Sequence, residues 1–304
     1  MEIITKVLDE YIDIPSNSYV FDIETTGLSP KFCKVILIGI LFNYNNQTII
    51  KQFFAKNEDS EYELLNSFID EIKSFEKHIT FNGTTFDIPF LNARFIKHNI
   101  DYKIESSDDI GILKFIKPFK KKLSLPDCKL KTVEKYLGIY REDTISGKES
   151  VELYKEFASN QNNDLKEVIL LHNYEDIYYL GKMFRIKKVL AEKLDTIEIN
   201  TDTLSVTLVP LQFKTQNNKI LMKYSILSGS YVPINIYHDN YTIVSENDYL
   251  YLDLVINKGH DSNNNVILFY KMSKIIPLKF NDDFLDDNIY TLGSYIIQKE
   301  MKCL

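Results

Sequence analysis

A mixed α/β domain followed by a smaller, mostly antiparallel β domain is the fold class that this 304-residue sequence predicts. Two observations predict it. Up to about Asp195, strand and helix patterns interleave in the order three strands, helix, strand, helix, then several helices. Beyond Asp195 the helical spacing gives way to short alternating apolar runs separated by polar turns. The length has room for one large domain or two ordinary ones. The boundaries read are residues 1–195 for the first domain and 196–304 for the second.

Taken in order, Ser18–Glu24 reads as a strand, and the largely apolar Val35–Tyr44 as a second, central one. Thr48–Phe54 is a third, and Asn45-Asn46 before it is a hairpin signal. Leu64, Leu65, Phe68, Ile69 and Ile72 fall at helical spacing within residues 60–75. His78–Phe81 is a short strand, and a helix begins near Asp87 and runs through Leu91, Phe95 and Ile96. Further helices fit at 108–116, 129–137, 149–158 and 163–186. In the second domain Ile220–Ile226, Tyr249–Val255 and Val266–Tyr270 read as strands. Between them lie the turns Gln216–Asn218, Asp239-Asn240 and Asp261–Asn265. Ile275–Phe280 and Tyr290–Ile297 read as late strands, free to pair within the domain or with another chain.

Composition narrows the function class. Apolar residues make 44% of the chain and charged ones 26%, ordinary values for a globular protein. Cys33, Cys128 and Cys303 are too few and too scattered for a disulfide framework or a zinc site, which fits a reducing, cytoplasmic setting. The N-terminus does not read as a signal peptide, and no apolar run of about 18 residues predicts a membrane helix. The net charge of −7 argues against non-specific coating of nucleic acid. Residues 196–304 hold nine lysines, twelve acids and no arginine, so the second domain is not basic either.

Three acidic motifs carry the chemistry: Phe21–Gly27, Phe81–Asp87 and His172–Asp176. Asp22 and Glu24, two apart on a strand, share one face, with Ile23 on the opposite, packed face. Asp87 follows the Asn82-Gly83 turn and opens a helix, where the dipole favours an acid. His172 and Asp176 share a helical face, with Tyr174 and Glu175 as neighbours. Four carboxylates at one point repel unless cations hold them, so the set implies metal ions and phosphate chemistry. Each motif alone has a plainer reading: a polar strand end, a helix-opening acid, a solvated histidine–aspartate pair.

Together and in this order, the motifs resemble the DEDD superfamily of 3′-5′ exonucleases, which have a ribonuclease-H-like fold. Its D-x-E on the first strand corresponds to Asp22 and Glu24, its helix-opening acid to Asp87, and its late-helix acid to Asp176. Asn82–Leu91 with Arg94 looks like the second exonuclease motif of B-family DNA polymerases. The run from Leu130 through Leu137-Gly138-Ile139, Arg141, Ser146-Gly147 and Tyr154 to Asp176 is similar to the bacterial YprB-type predicted exonucleases. The resemblance covers about residues 15–190 and not the β domain. It implies two divalent ions, Mg²⁺ or Mn²⁺, on Asp22, Glu24, Asp87 and Asp176, acting at single-stranded DNA or RNA 3′ ends. Thr25, Thr26 and Leu28 would contact the terminal nucleotide, with Asn82 and Phe86 as second candidates. Tyrosine-type members carry Tyr four residues before the last acid, and histidine-type members carry His five before. Here His172 stands at the tyrosine's spacing; it is the expected proton acceptor, with Tyr174 the alternative.

Two further features stay open on sequence. Lys114–Lys122 interleaves cations with Phe115 and Phe119, either a strip that follows a single strand or a loop whose rings enter the core. Asp108 and Asp109 read as helix caps. The competing functions are a non-catalytic nucleic-acid-binding or scaffold module and a structure-specific endonuclease. The β domain could cap the cleft, choose the substrate or bind a protein partner.

Overall fold

The structure is a computed structural model that describes residues 1–143, 145–229, 233–246 and 248–302. Cys303 lies outside the described residues. The chain divides into two compact units, Met1–Ile186 and Lys187–Leu304, so the division falls before the Asp195 boundary read from composition.

The first unit runs β1 (Glu2–Val7), β2 (Ser18–Thr25), β3 (Val35–Tyr44), β4 (Gln47–Phe54), α1 (Glu61–Ile72), β5 (Lys77–Thr80), α2 (Asp87–Lys97), β6 (Asp109–Gly111), α3 (Ile112–Ile116), α4 (Leu130–Tyr136), α5 (Gly147–Asn160) and α6 (Asn163–Met183). Its six strands form one mixed sheet in the order β1-β4-β3-β2-β5-β6. The hairpin β3–β4 turns through Asn45 and Asn46, both with positive φ, as its tight reversal requires. β2 pairs antiparallel with β3 and parallel with β5, so it sits mid-sheet.

Alternation along β2 sends its side chains to two different layers. Tyr19, Phe21 and Ile23 enter a core shared with Leu64, Leu65 and Phe68 of α1 and Phe90, Leu91 and Phe95 of α2. α5 and α6 cover the other side, where Tyr154, Phe157, Ile169 and Leu170 pack on Ile36, Leu37 and Phe54. Asp22 and Glu24 therefore face the α6 layer.

Helix α6 approaches the sheet closely because β3 carries glycine there. A Cβ on Gly39 would stand 2.2 Å from Asn173 Oδ1 and 2.9 Å from Ile177 Cδ1. Asn173 is fully buried, accepts from Gln52 Nε2 at 3.0 Å and points its own amide at Asp22.

The expected helix at 108–116 is corrected. Residues 109–111 are strand β6, paired parallel with β5, and only Ile112–Ile116 is helical. Neither Asp108 nor Asp109 caps α3, whose N-cap is Gly111; Asp109 instead ends a short 3-10 turn at Ser106–Asp108. Asp108 pairs with Lys77 at 2.9 Å, and buried Asp109 accepts from Thr80 Oγ1 at 2.7 Å. Burial of Asp109 favours a hydrogen-bonding partner over a solvated cap role.

At the boundary α7 (Ile186–Lys193) begins. The second unit then contains β7 (Ile197–Asn200), β8 (Ser205–Gln216), β9 (Lys219–Gly229), β10 (Asn235–Tyr237), β11 (Tyr241–Glu246), β12 (Tyr249–Val255), β13 (Asn257–His260), β14 (Val266–Lys271), β15 (Ile275–Phe280), β16 (Asp283–Phe284) and α8 (Asp286–Met301). Two antiparallel sheets result, ordered β10-β11-β12-β9-β8-β7 and β13-β14-β15-β16. The expected strand Tyr290–Ile297 is instead the middle of α8. Ile289, Leu292, Ile296, Ile297 and Met301 all join the sheet core. Their spacing is helical, and Gly293 lets the helix approach Tyr224 and Met222 of β9.

No helix among the described residues is long and apolar enough to cross a membrane.

Candidate functional site

The three acidic motifs meet on the α6 side of β2. Asp22 feels the charges of Asp176, Asp87 and Glu24, and Glu24 those of His172, Asp176 and Asp87. Glu24, His172 and Asp176 each offer a ligand atom, all within 4.8 Å of one another. His172 Nε2 stands 3.5 Å from Glu24 Oε1 and 3.6 Å from Asp176 Oδ2. Three elements thus deliver the acids: β2 by its two-residue period, α2 by its first residue and α6 by its inward face.

Burial and mutual repulsion set the proton affinities of the acids. Burial pushes Asp22 well above the usual carboxylate range, and the neighbouring acids add to it while Arg141 opposes. Burial raises Glu24 to about 7 against the pull of His172. Asp87 rises to about 6 through burial, drawn back by hydrogen bonds from its own amide and that of Ile23. The His172 imidazole would be lowered by burial, but Asp176, Glu24 and Asp143 together raise it. Buried acids that hold their protons too tightly are short of positive charge. Carboxylate oxygens suit a hard divalent cation, so the acids present fit one.

Some of that positive charge is internal. Arg141, between α4 and α5, donates through Nη1 to Asp176 Oδ1. It also forms a forked pair with Glu134 of α4, its Nε lying 2.8 Å from Oε2. In the sequence Arg141 belongs to a motif run, and nothing there marks Glu134 and Asp143 as partners of the site. Asp143 Oδ2 lies 2.7 Å from His172 Nδ1. No local signal links residues 29 apart across a loop and two helices.

The remaining expected site residues divide. Tyr174 stacks on Tyr178 at 5.7 Å with Lys6 over its ring at 4.5 Å, on another side of α6 from His172. Glu175 accepts from the amides of Glu142 and Asp143 at 3.1 and 2.7 Å. Thr25 Oγ1 donates to Gly27 O at 2.8 Å, and Thr26 Oγ1 accepts from Lys34 N at 2.9 Å, so both hydroxyls shape the loop after β2. Leu28, at the tip of that loop, is 84% exposed. Asn82 is exposed and accepts from Thr85 Oγ1, while half-buried Phe86 packs on Phe90 at 5.4 Å. Of the two readings open for Lys114–Lys122, the structure takes the second: Phe115 and Phe119 are buried, so their rings are taken up by the core and do not offer a stacking surface.

Comparison with known proteins follows the same stretch of chain. The RNase_H superfamily matches residues 19–187. A DNA polymerase III PolC-type from Ureaplasma parvum is 36% identical over 141 residues, covering 39% of this chain and 10% of that one. YprB of Bacillus subtilis is 30% identical over 183 residues, covering 58% of this chain and 44% of its own. The chain therefore spans a tenth of one relative and under half of the other. Among solved structures, the family B DNA polymerase of Pyrobaculum calidifontis aligns with 57% of this chain and 24% of its own, at 14% identity and a TM-score of 0.44. The superfamily match runs from the start of β2 to the start of α7, the stretch that carries Asp22, Glu24, Asp87 and Asp176, and the chain belongs to the RNase_H superfamily.

Proposed function

We propose that the chain is a metal-dependent 3′-5′ exonuclease that hydrolyses phosphodiester bonds at single-stranded nucleic-acid 3′ ends. One observation carries the reading: Asp22, Glu24, Asp87 and Asp176 converge from three elements, and burial raises the proton affinity of the first three. Similarity to a PolC-type DNA polymerase supports a nucleic-acid substrate.

In this proposal Asp22, Glu24, Asp87 and Asp176 hold two divalent ions, Mg²⁺ or Mn²⁺. Such ions, when bound, ease deprotonation of water and neutralise charge on the transferring phosphoryl group. The protein's own part is proton transfer and substrate contact. As the water oxygen bonds to phosphorus and the P–O3′ bond breaks, His172 Nε2 takes the water proton. The leaving 3′ oxygen is protonated from solvent. The products are a nucleoside 5′-monophosphate and a strand one residue shorter with a 3′ hydroxyl. The exposed Leu28 side chain offers an apolar surface to the terminal base, and the loop of Thr25 and Thr26 lies beside it. Asn82 and Phe86 are second contacts at the mouth of α2.

The test is incubation of 5′-labelled single-stranded DNA and RNA with Mg²⁺ or Mn²⁺. A ladder shortening from the 3′ end is expected, and it also gives the DNA or RNA preference. Absence of cleavage by metal-loaded protein, or cutting of a circular single strand, would replace this reading with the scaffold or the endonuclease. His172→Ala should slow cleavage by roughly 10²–10⁴, and Tyr174→Phe should leave it within about threefold; the reverse order would move the proton acceptor to Tyr174.

A further inference from the structure

Resting on the exonuclease reading, we propose that Asp143 is the positioning residue of His172, fixing which ring nitrogen faces the acids. The segment Arg141–Asp143 acts as a strap across one turn of α6. Arg141 binds Asp176, the amides of Glu142 and Asp143 bind Glu175, and the Asp143 carboxylate binds His172. Three consecutive strap residues thus hold three side chains within five residues of α6.

The Asp143 carboxylate is itself oriented. Its Oδ1 accepts from the Ile145 amide at 3.0 Å, which leaves Oδ2 for the ring at 2.7 Å. Its side chain is only 2% exposed, and the Lys131 ammonium lies 3.9 Å from Oδ2. A neutral imidazole carries one N–H and one lone pair. A carboxylate can only accept, and Asp143, at 2.7 Å from Nδ1 against 3.5 and 3.6 Å for Glu24 and Asp176 from Nε2, is the one within hydrogen-bond reach, so it selects the tautomer with hydrogen on Nδ1. Nε2 is then the acceptor, aimed between Glu24 and Asp176.

A tyrosine at this spacing needs no such partner, because its single hydroxyl both donates and accepts. An imidazole does need one, since the wrong tautomer presents a donor where an acceptor is required. The histidine at position 172 and the aspartate at position 143 therefore work as a unit.

The test uses the full chain with Mg²⁺ and a 5′-labelled single strand. Asp143→Ala should lower kcat by roughly 10–100-fold with KM within about threefold. Asp143→Asn, which still accepts from Nδ1–H, should recover to within about tenfold of the parent, by the same hydrogen bond without its charge. Nitrogen-15 spectra of the histidine ring should show Nδ1–H in the Mg²⁺-loaded parent and a tautomer mixture in Asp143→Ala. Any of three results would overturn the proposal while leaving the exonuclease reading intact: an Nε2–H tautomer in the parent, an Asp143→Ala kcat within about threefold of it, or equal losses in the Ala and Asn variants. A parent chain that cleaves nothing overturns the exonuclease reading, and His172's role with it, whatever tautomer the spectrum shows.

Discussion

Asp22 is the residue at which function and stability pull hardest against each other. It is crowded by three acids and partly buried, so its charge costs stability until positive charge arrives. Asp22→Asn should abolish cleavage and also raise the stability of the EDTA-treated protein by about 1–2 kcal/mol; denaturant melts with and without Mg²⁺ measure this. His78 gives a second prediction, away from the acids. Its ring lies against Tyr19 and Phe21, and its Nε2 has no hydrogen-bond partner among the described residues. Burial lowers its pKa from 6.5 to about 4. The unfolded chain therefore takes up the proton first, so this stability is full above pH 6.5 and is lost as pH falls toward about 4. His78→Leu should remove that loss, gaining on the order of 2–3 kcal/mol relative to the parent between pH 7 and 4.5, read from urea melts at each pH. The acids were legible in sequence because period two and helical spacing set their faces. The partners Arg141 and Asp143 were not, because they meet α6 only through tertiary packing.

Among elements, α1 and α2 are tied by a buried ion pair rather than by apolar contact alone. Arg94 and Glu61 are each 1% exposed, and Arg94 Nε donates to Glu61 Oε1 at 2.7 Å. The same carboxylate accepts from the Val35 amide and faces His98, while Arg94 Nη1 donates to Pro30 O at 2.9 Å. The pair thereby fixes the start of β3 and the loop that follows the Asp22 motif. Arg94→Met should destabilise by about 3–5 kcal/mol, since it strands a buried carboxylate. Adding Glu61→Leu should recover only part of that, because the Val35 amide is then left unpaired. Calorimetric Tm values across the two single variants and the double variant test the order. Elements with long periodic patterns, such as α1, α6 and β3, were legible. Tyr290–Ile297 was not: Tyr, Thr and Ile favour strands, and only the spacing of Ile289, Leu292 and Ile296 along a common face reveals the helix.

At the scale of the molecule, the two units each carry a core of their own. The core of the second unit runs from Ile197 to Met301. Residues 187–304 should therefore fold when expressed alone, with a cooperative thermal transition followed by circular dichroism. Ending that fragment at Leu285 removes the five buried α8 side chains, each worth about 1.5–3 kcal/mol, comparable with the whole stability of a small domain; no cooperative transition should remain. The change from helical to alternating pattern made two units legible from composition. The change of pattern at Asp195 and the division at Lys187 differ by α7, whose helical pattern continues that of α6.

Gly39 sets a clearance. With a hydrogen there, α6 can rest its Asn173 amide against the backbone of β3, and Gly39 is paired in register with Asp22. A single methyl group would collide with the side chains of Asn173 and Ile177; where buried Asn173 cannot repack, the helix moves outward, and His172 and Asp176 retreat with it from Asp22 and Glu24. The reach between strand and helix is thus gauged by an atom that is missing rather than by any side chain that acts. Among related chains, a larger residue at this position would mark a site whose acids are all present yet stand too far apart to share a cation.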